Sequence, residues 1–527
     1  MYYQCNNVIN YSFIDYIIRC YVPELQISEE VGKKINLEIF REAMLHQTTK
    51  YRPEDKTYDR LEYLGDAVFH LVITEYLYKR YDEEDEGFLT RLRIKIEKGD
   101  SMVEFSRKLE LNSYVQVSGI RLNNHILEDI FEAFLGAFYL NFGIKYTRIF
   151  IVNLIEKYKD LSTLISHEDN YKDLLLRYFH QMKWGHPVYH QEITYNGKFK
   201  STVKNPFDKK LGIGVASTKK KAEQLASKKA LITLGVIVDG EIDPDWLEKI
   251  EKVESEKKEK QDKKPVTILN PFNKLMKKND IRQILGKYNI NLWKNDINMK
   301  IFHEAMTHRS YLERKKMSEE DKKIAKIAVK LQKKSNERLQ FLGDSVIHFI
   351  IGEYLYHRYN KNDEGFLTRL RCRLENRDLL FYLANQSMVS KYVLVSHNIE
   401  VLHGRNNINI IGGGFEAFIG ALYLEVGLDT TKQFILELIR TELDIDKIAE
   451  SETNYKDKVL QLYKQNRWGF PKYLLLKEEG PGHAKIFTMG IYLGNTLVGV
   501  GRASSKKRAE QDAARKMFET YKKIFVE

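Results

Sequence analysis

The feature that most limits what this chain can fold into is that it repeats itself. Arg60-Leu61-Glu62-Tyr63-Leu64-Gly65-Asp66 recurs as Arg338-Leu339-Gln340-Phe341-Leu342-Gly343-Asp344 at an offset of 278. Glu86-Gly87-Phe88-Leu89-Thr90-Arg91-Leu92-Arg93 returns as Glu364-Gly365-Phe366-Leu367-Thr368-Arg369-Leu370-Arg371 at the same offset. Phe131-Glu132-Ala133-Phe134 with Gly136-Ala137 recurs as Phe415-Glu416-Ala417-Phe418 with Gly420-Ala421, now at 284, as do Asn170-Tyr171-Lys172-Asp173 and Trp184-Gly185. Ordered blocks spaced by about half of the 527 residues mean a duplicated pair of modules, not a solenoid. The length fits three or four domains.

Each copy divides again. Residues 30–165 and 280–447 are rich in helical periodicity; the Glu62 block runs on as AVFHLVITEYLYKRY, dense enough in apolar residues for a largely buried helix. Residues 168–236 and 452–523 open with a helix (NYKDLLLRYFHQ), continue with short alternating strands (KIFTMGIYLG), and close with an Ala/Lys-rich helix ending at Gly235. The expected fold class is mainly α with α+β modules. All-helical domains fall at 1–166 and 269–449, α-β-β-β-α modules at 167–237 and 450–527, and a charged linker at 238–268. The linker reads as a solvated tether or exposed helix. The second copy carries a Lys-rich insertion near 313–334, read either as a contact to phosphates or as a solvated amphipathic helix.

Composition narrows the setting without naming a function. The net charge of +12 and a pI near 9.1 are compatible with nucleic-acid binding but do not prove it. Cys5, Cys20 and Cys372 have no metal-type spacing and fit a reducing compartment. The apolar start is interrupted by Asp15 and Arg19 and lacks a basic leader, so no signal peptide is expected. No membrane association is expected either, because no uncharged apolar stretch approaches about 18 residues. Cytoplasm is the default, with the nucleus left open. The richness in Lys, Asn, Ile and Tyr hints at an AT-rich genome, viral or protist.

Chemistry concentrates in the helical part of the first copy. Glu62 and Asp66 are four apart, and Asp129 and Glu132 three apart, so each pair shares a helix face. Four carboxylates from two helices can meet around hard cations, which prefer oxygen ligands; two Mg²⁺ ions could activate water and hold a scissile phosphate. Gly65 and Gly136 would let the helix backbones approach closely. Taken alone, such pairs are more often solvated faces or salt-bridge partners. Their apolar flanks (Tyr63, Leu64, Ala67, Val68; Ile130, Phe131, Ala133, Phe134) argue that something positive must meet them.

Asp59-Arg60-Leu61-Glu62-Tyr63-Leu64-Gly65-Asp66-Ala67 closely resembles the signature helix of the ribonuclease III family. Asp129-Ile130-Phe131-Glu132-Ala133 resembles its second acidic motif, and Ala43-Met44-Leu45-His46 and Ala305-Met306-Thr307-His308 its upstream helix. The resemblance implies all-helical endonuclease domains that pair through the signature helix. It also implies Mg²⁺-dependent cutting of double-stranded RNA (Mn²⁺ a substitute), leaving 5′-phosphate and 3′-hydroxyl ends. It makes Glu62, Asp66, Asp129 and Glu132 catalytic metal ligands, with Asp59 and Glu86 as accessory acids. His46 reads as a structural hydrogen-bonding residue. The second copy departs from the pattern: Gln340 replaces the first carboxylate and Gly413 the aspartate, leaving only Asp344 and Glu416, so this centre is expected to be inactive.

The α+β modules resemble the double-stranded-RNA-binding domain, which reads A-form shape. In the second, Gly480-Pro481-Gly482-His483 matches the minor-groove loop, and Lys506, Lys507 and Arg508 the phosphate-gripping helix start. The first keeps Lys219, Lys220 and Lys221 but has Tyr195-Asn196-Gly197-Lys198 in place of the loop. Trp184 and Trp468 read as packing residues. The leading reading is an endonuclease whose two helical domains pair within one chain, with one live centre. Pairing of two chains through their first repeats stays open, as does a non-catalytic protein that sequesters duplex RNA.

Overall fold

The computed structural model describes residues 7–25, 35–50, 55–166, 171–194, 197–238, 241–242, 267–291, 297–314, 318–452, 455–479, 485–503 and 505–525. Most of the expected linker and the loop carrying His483 lie outside them. The first copy contains α1 (Tyr11–Tyr21), α2 (Asp59–Arg80), α3 (Glu86–Ile96), α4 (Gly99–Lys108) and α5 (Asn124–Tyr158). The module after it is α6 (Tyr171–Gln181), strands β1 (Val188–Ile193), β2 (Phe199–Lys204) and β3 (Lys210–Ala216), then α7 (Lys219–Thr233). The second copy contains α8 (Glu337–Arg358), α9 (Glu364–Leu374), α10 (Arg377–Gln386) and α11 (Ile408–Glu442). Its module is α12 (Tyr455–Gln465), β4 (Lys472–Glu479), β5 (Ile486–Leu493), β6 (Thr496–Ala503) and α13 (Lys506–Phe525).

Local chemistry explains the main helices. The apolar start of the chain is an amphipathic helix: α1 buries Phe13, Ile14, Ile17, Ile18 and Tyr21 along one face, and the Asn10 side chain caps it by accepting from the Phe13 N–H at 3.0 Å. Asp85 and Asp363 cap α3 and α9 alike, each accepting a backbone N–H at 2.7 Å. The helical runs of α5 and α11 are each broken once, at Gly143 (φ 72°) and Gly427 (φ 82°), a left-handed conformation that favours glycine. By length and composition α11 could cross a membrane, but most of its apolar stretch is buried inside the protein, which accounts for its character.

Two glycine contacts set the closest packing in each copy. A Cβ on Gly65 would stand 1.7 Å from the carbonyl oxygen of Glu132, and one on Gly136 2.3 Å from that of Leu61. Gly343 and Gly420 repeat the contact at 1.7 Å from Glu416 and 2.3 Å from Leu339. Backbone therefore lies on backbone where α2 crosses α5 and where α8 crosses α11.

The two helical domains share one hydrophobic core, with α2 packed on α8 about a pseudo-twofold axis. Arg60 donates to the carbonyls of Tyr356 (2.7 Å) and Tyr359 (2.9 Å) beyond the last turns of α8, and lies over the Tyr356 ring. Arg338 does the same to Tyr78 (3.0 Å) and Tyr81 (2.8 Å) of the first copy. Each guanidinium thus satisfies carbonyls that a helix end leaves without partners, and meets the negative end of its dipole. Buried Glu75 and Glu353 lie at the interface: Arg148, which donates to Glu75 at 2.7 Å within the first copy, also donates to Tyr423 of the second at 3.2 Å, and Tyr139 donates across to Glu353 at 2.8 Å.

Both small modules are three-stranded antiparallel sheets, ordered β1-β2-β3 and β4-β5-β6, each packed against its closing helix. Trp184 packs edge-on against Phe179 and Trp468 against Tyr463, as packing residues. The insertion of the second copy keeps Lys322, Lys323, Lys326 and Lys330 exposed but also has a packing role. Its buried Asp321 accepts the backbone N–H groups of Ile268 (2.9 Å) and Leu269 (2.8 Å), strapping residues 268–269 into a small cluster with Tyr311 and Leu394. A carboxylate taking two backbone donors is well satisfied when buried.

The helix crossing generates a stability prediction. Gly65→Ala should destabilise the chain by about 2–3 kcal/mol, because backbone must move to admit the methyl group. Gly87→Ala, whose Cβ would meet only the Arg91 and Asp85 side chains, should change little. Equal urea midpoints for the two variants would contradict the close crossing.

Candidate active site

The glycine crossing brings the two acidic pairs to one place. Glu62 and Asp66 project from α2, and Asp129 and Glu132 from α5. Asp66 and Asp129 act on the charge of both Glu62 and Glu132, and Glu62 acts on Glu132. Burial, then the neighbouring charges of Asp129, Glu364, Asp59 and Asp66, pushes the Glu62 carboxyl up to about 9. Burial, with Asp66, Glu62, Asp129 and Glu128 around it, raises Glu132 well above the usual range. Among the described residues no positive side chain pairs with Glu62 or Glu132, so these acids lack the counter-charge that burial demands.

The other two acids are engaged. The Tyr58 hydroxyl donates to Asp129 at 2.9 Å, and burial raises that carboxyl. Asp66 is gripped from the second copy: Arg371 Nη2 donates to it at 3.2 Å and His348 Nε2 lies 3.6 Å away. Burial works against ionisation, but the His348 contact and the Arg371 charge hold Asp66 well below the ordinary carboxylate range. Asp66 and Glu375 in turn raise His348 to about 9 despite its burial. Among the described residues no three His, Cys, Asp or Glu side chains stand close enough together to hold one ion. The oxygen-only donor set, with two half-buried acids that no described positive side chain meets, fits a hard divalent cation that keeps part of its water shell.

The two expected accessory acids make different contacts. Asp59 stands at the start of α2, accepts from Thr57 and acts on Glu62. Glu86 accepts from Thr90 of its own helix at 2.8 Å. Glu364, the counterpart of Glu86 in the second copy, also places its charge on Glu62. The pairing of the copies puts Glu364 there, because α9 packs across onto α2. His46 is structural in its contacts: its Nδ1 bonds Thr48, and burial lowers its pKa.

The second centre is built otherwise. Gln340 lies against Gly413, where a Cβ would come 2.8 Å from the amide oxygen. Asp344 is exposed. Glu416 is buried and accepts from Arg377 Nη1 at 2.6 Å; burial and Asp344 push its carboxyl up to about 7, against Arg377 and Gln340. Arg377 begins α10 in the register that Gly99 holds in α4. Sequence reasoning missed Arg377, Arg371 and His348. The signals available were the recurrence of the Arg371 block and the Gly99–Arg377 exchange between aligned copies.

In the small modules Lys219, Lys220 and Lys221, and likewise Lys506, Lys507 and Arg508, are exposed together at the first turn of the closing helix. The glutamates that follow are structural: Glu510 pairs with Lys456 at 2.6 Å, and Glu223 with Lys172.

Comparison with known proteins agrees with this architecture. A ribonuclease III domain model matches residues 59–143, a ribonuclease-III-like model 298–443, and a double-stranded RNA binding motif 171–234 and 455–521. The fold and the paired helical domains are thus those of an endoribonuclease class. A protein named probable ribonuclease 3, from Acanthamoeba polyphaga mimivirus, is 64% identical over 524 residues, 98% of this chain and 97% of that protein. The ribonuclease 3 of Syntrophomonas wolfei is 34% identical over 215 residues, 41% of this chain and 85% of its own length. A solved nuclease domain of ribonuclease III from Campylobacter jejuni is 29% identical, covering 32% of this chain and 98% of its own, with a TM-score of 0.26. The chain belongs to the ribonuclease III family of endoribonucleases. The mimivirus relative supports a virus-encoded origin.

The carboxyl environment predicts a pH dependence. A folded-state pKa above the unfolded value means that Glu62 binds its proton more tightly when folded, so its contribution to stability falls as pH rises from about 4.5 toward about 9. His348, also raised, adds stability below about 6.5 that is lost as pH rises through about 9, in the same direction. In chelator, the melting temperature should therefore fall between pH 6 and 9, by roughly 2–4 °C per kcal/mol lost. Glu62→Gln should flatten the profile, and millimolar Mg²⁺ should restore the parent. A Glu62→Gln profile as steep as the parent's would refute the assignment to this acid.

Proposed function

We propose that the chain cuts double-stranded RNA at a single centre in its first copy, where Glu62, Asp66, Asp129 and Glu132 hold Mg²⁺, with Mn²⁺ as a substitute. The products carry 5′-phosphate and 3′-hydroxyl ends. The observation that carries this reading is the contrast between the copies: the first gathers four carboxylates, two of them unmet by any cation, whereas the second keeps two and fills the place with Arg377. When bound, the metal supplies an activated water and charge stabilisation at the phosphate.

The chain's own residues prepare that site. Gly65 and Gly136 set the spacing of the acids, Tyr58 orients Asp129, and Arg371 with His348 keeps Asp66 ionised. The basic helix starts of the small modules, Lys219 to Lys221 and Lys506 to Arg508, hold backbone phosphates, and His483 reaches a groove edge. The shared core of the two helical domains favours pairing within one chain over a homodimer built through the first repeats. One live centre then nicks one strand per encounter.

Glu132→Gln should abolish Mg²⁺-dependent cleavage, a loss of at least about 1,000-fold, while leaving duplex binding within a few-fold. A parent chain that binds duplex RNA without cutting it would favour the sequestering protein instead. With monomeric protein and a duplex labelled on both strands, single-encounter products should show one cut strand. Equal cutting of both would rule out the nicking arrangement.

A further inference from the structure

The second centre has lost its ligands in a concerted way. In the first copy Gly99 begins α4 beneath Glu128, and a Cβ there would come 2.6 Å from the Glu128 carboxylate. In the second copy both positions are exchanged: Arg377 stands for Gly99 and Gly412 for Glu128. A Cβ on Gly412 would sit 3.7 Å from Arg377 Cδ, so the missing side chain leaves room for the arginine stem. Gly413 likewise gives its space to Gln340. Ligand loss alone requires none of this coordinated repacking.

The result is a guanidinium where the first copy gathers acids. Glu416, with its side chain only 2% exposed, anchors Nη1 at 2.6 Å, while the Arg377 side chain remains 42% exposed. One edge of the fork is therefore fixed and the remainder is open. The local charge also changes. Four carboxylates around the first centre repel a phosphate unless cations are bound, whereas Asp344, Glu416 and Arg377 together carry a single net negative charge with the cation anchored among them. Arginine held by a buried carboxylate is a pre-organised phosphate ligand.

We propose that the second centre is a metal-independent docking site for a backbone phosphate of duplex RNA, taken by Arg377 on the strand that is not cut. This rests on the one-live-centre reading above, and assigns the degenerate copy a binding role in place of a catalytic one. Arg377 serves as ligand and Glu416 as its positioning residue.

The test measures duplex binding in EDTA, in the full chain carrying Glu132→Gln, so that it does not depend on cleavage. Adding Arg377→Gln together with Glu416→Gln, which leaves no unpaired buried charge, should weaken binding by roughly 5- to 10-fold and reduce the salt slope by about one. Arg377→Lys should fall between. An unchanged affinity and slope in the double variant, with an unchanged melting temperature, would overturn the proposal and leave Arg377 as a structural plug. Should the variants fold poorly, the parent decides: a single uncharged methylphosphonate walked along each strand should reveal a weakening position on the uncut strand opposite the nick. Finding none there would also overturn it. Failure of cleavage in Mg²⁺ with these binding effects intact would sink the proposed activity but not the docking site.

Discussion

Everything chemical in this chain depends on two helix backbones touching. Where Gly65 meets Glu132 and Gly136 meets Leu61 there is no room even for a methyl group, and this contact decides how far apart the acids of α2 and α5 can be. Side-chain packing of ordinary residues separates helix axes by about 8–10 Å. A glycine crossing brings them closer, so carboxylates on the two helices come near enough for their charges to act on one another. The same crossing persists in the second copy, where two of the four acids are gone, which separates the structural task of the glycines from the chemical task of the carboxylates.

The second constraint is the pairing of the copies. Arg60 and Arg338 each cap the end of the opposite helix, and the apolar faces between them merge into a single core. Because of that pairing the first centre is not made by the first copy alone. Arg371 and His348 hold Asp66, and Glu364 places a further negative charge beside Glu62. The second copy is thereby part of the first centre's electrostatics, whatever its own chemistry has become.

Much of this architecture is legible in the amino-acid sequence. The duplication and the helical and α-β-β-β-α character of each part follow from local periodicity and from blocks that recur at fixed spacing, while the four acids are singled out by the resemblance to a family signature. The packing roles of Trp184 and Trp468 and the close-approach role of Gly65 and Gly136 are also readable there, because each concerns near neighbours in a regular element. What escapes a reading of the sequence is set by tertiary pairing. Glu86 and Glu364 are equivalent in sequence, and only the crossing of α9 onto α2 decides which one faces Glu62. Arg377 lies outside the acidic motifs; its relation to Glu416 emerges only when α10 is laid beside α11. The 313–334 insertion resembles exposed charge because lysines dominate it, while its decisive residue is the buried Asp321.

A shared core between two copies on one chain also changes the statistics of assembly. A dimer of separate subunits comes apart on dilution, whereas domains joined in one polypeptide meet at a high effective concentration set by the tether. Such a chain can be complete at very low copy number. It also frees the halves from symmetry: in a homodimer every substitution appears twice, but here one partner can change while the other stays as it was. The exchange of Gly99 and Glu128 for Arg377 and Gly412 is a divergence that identical subunits could never have made.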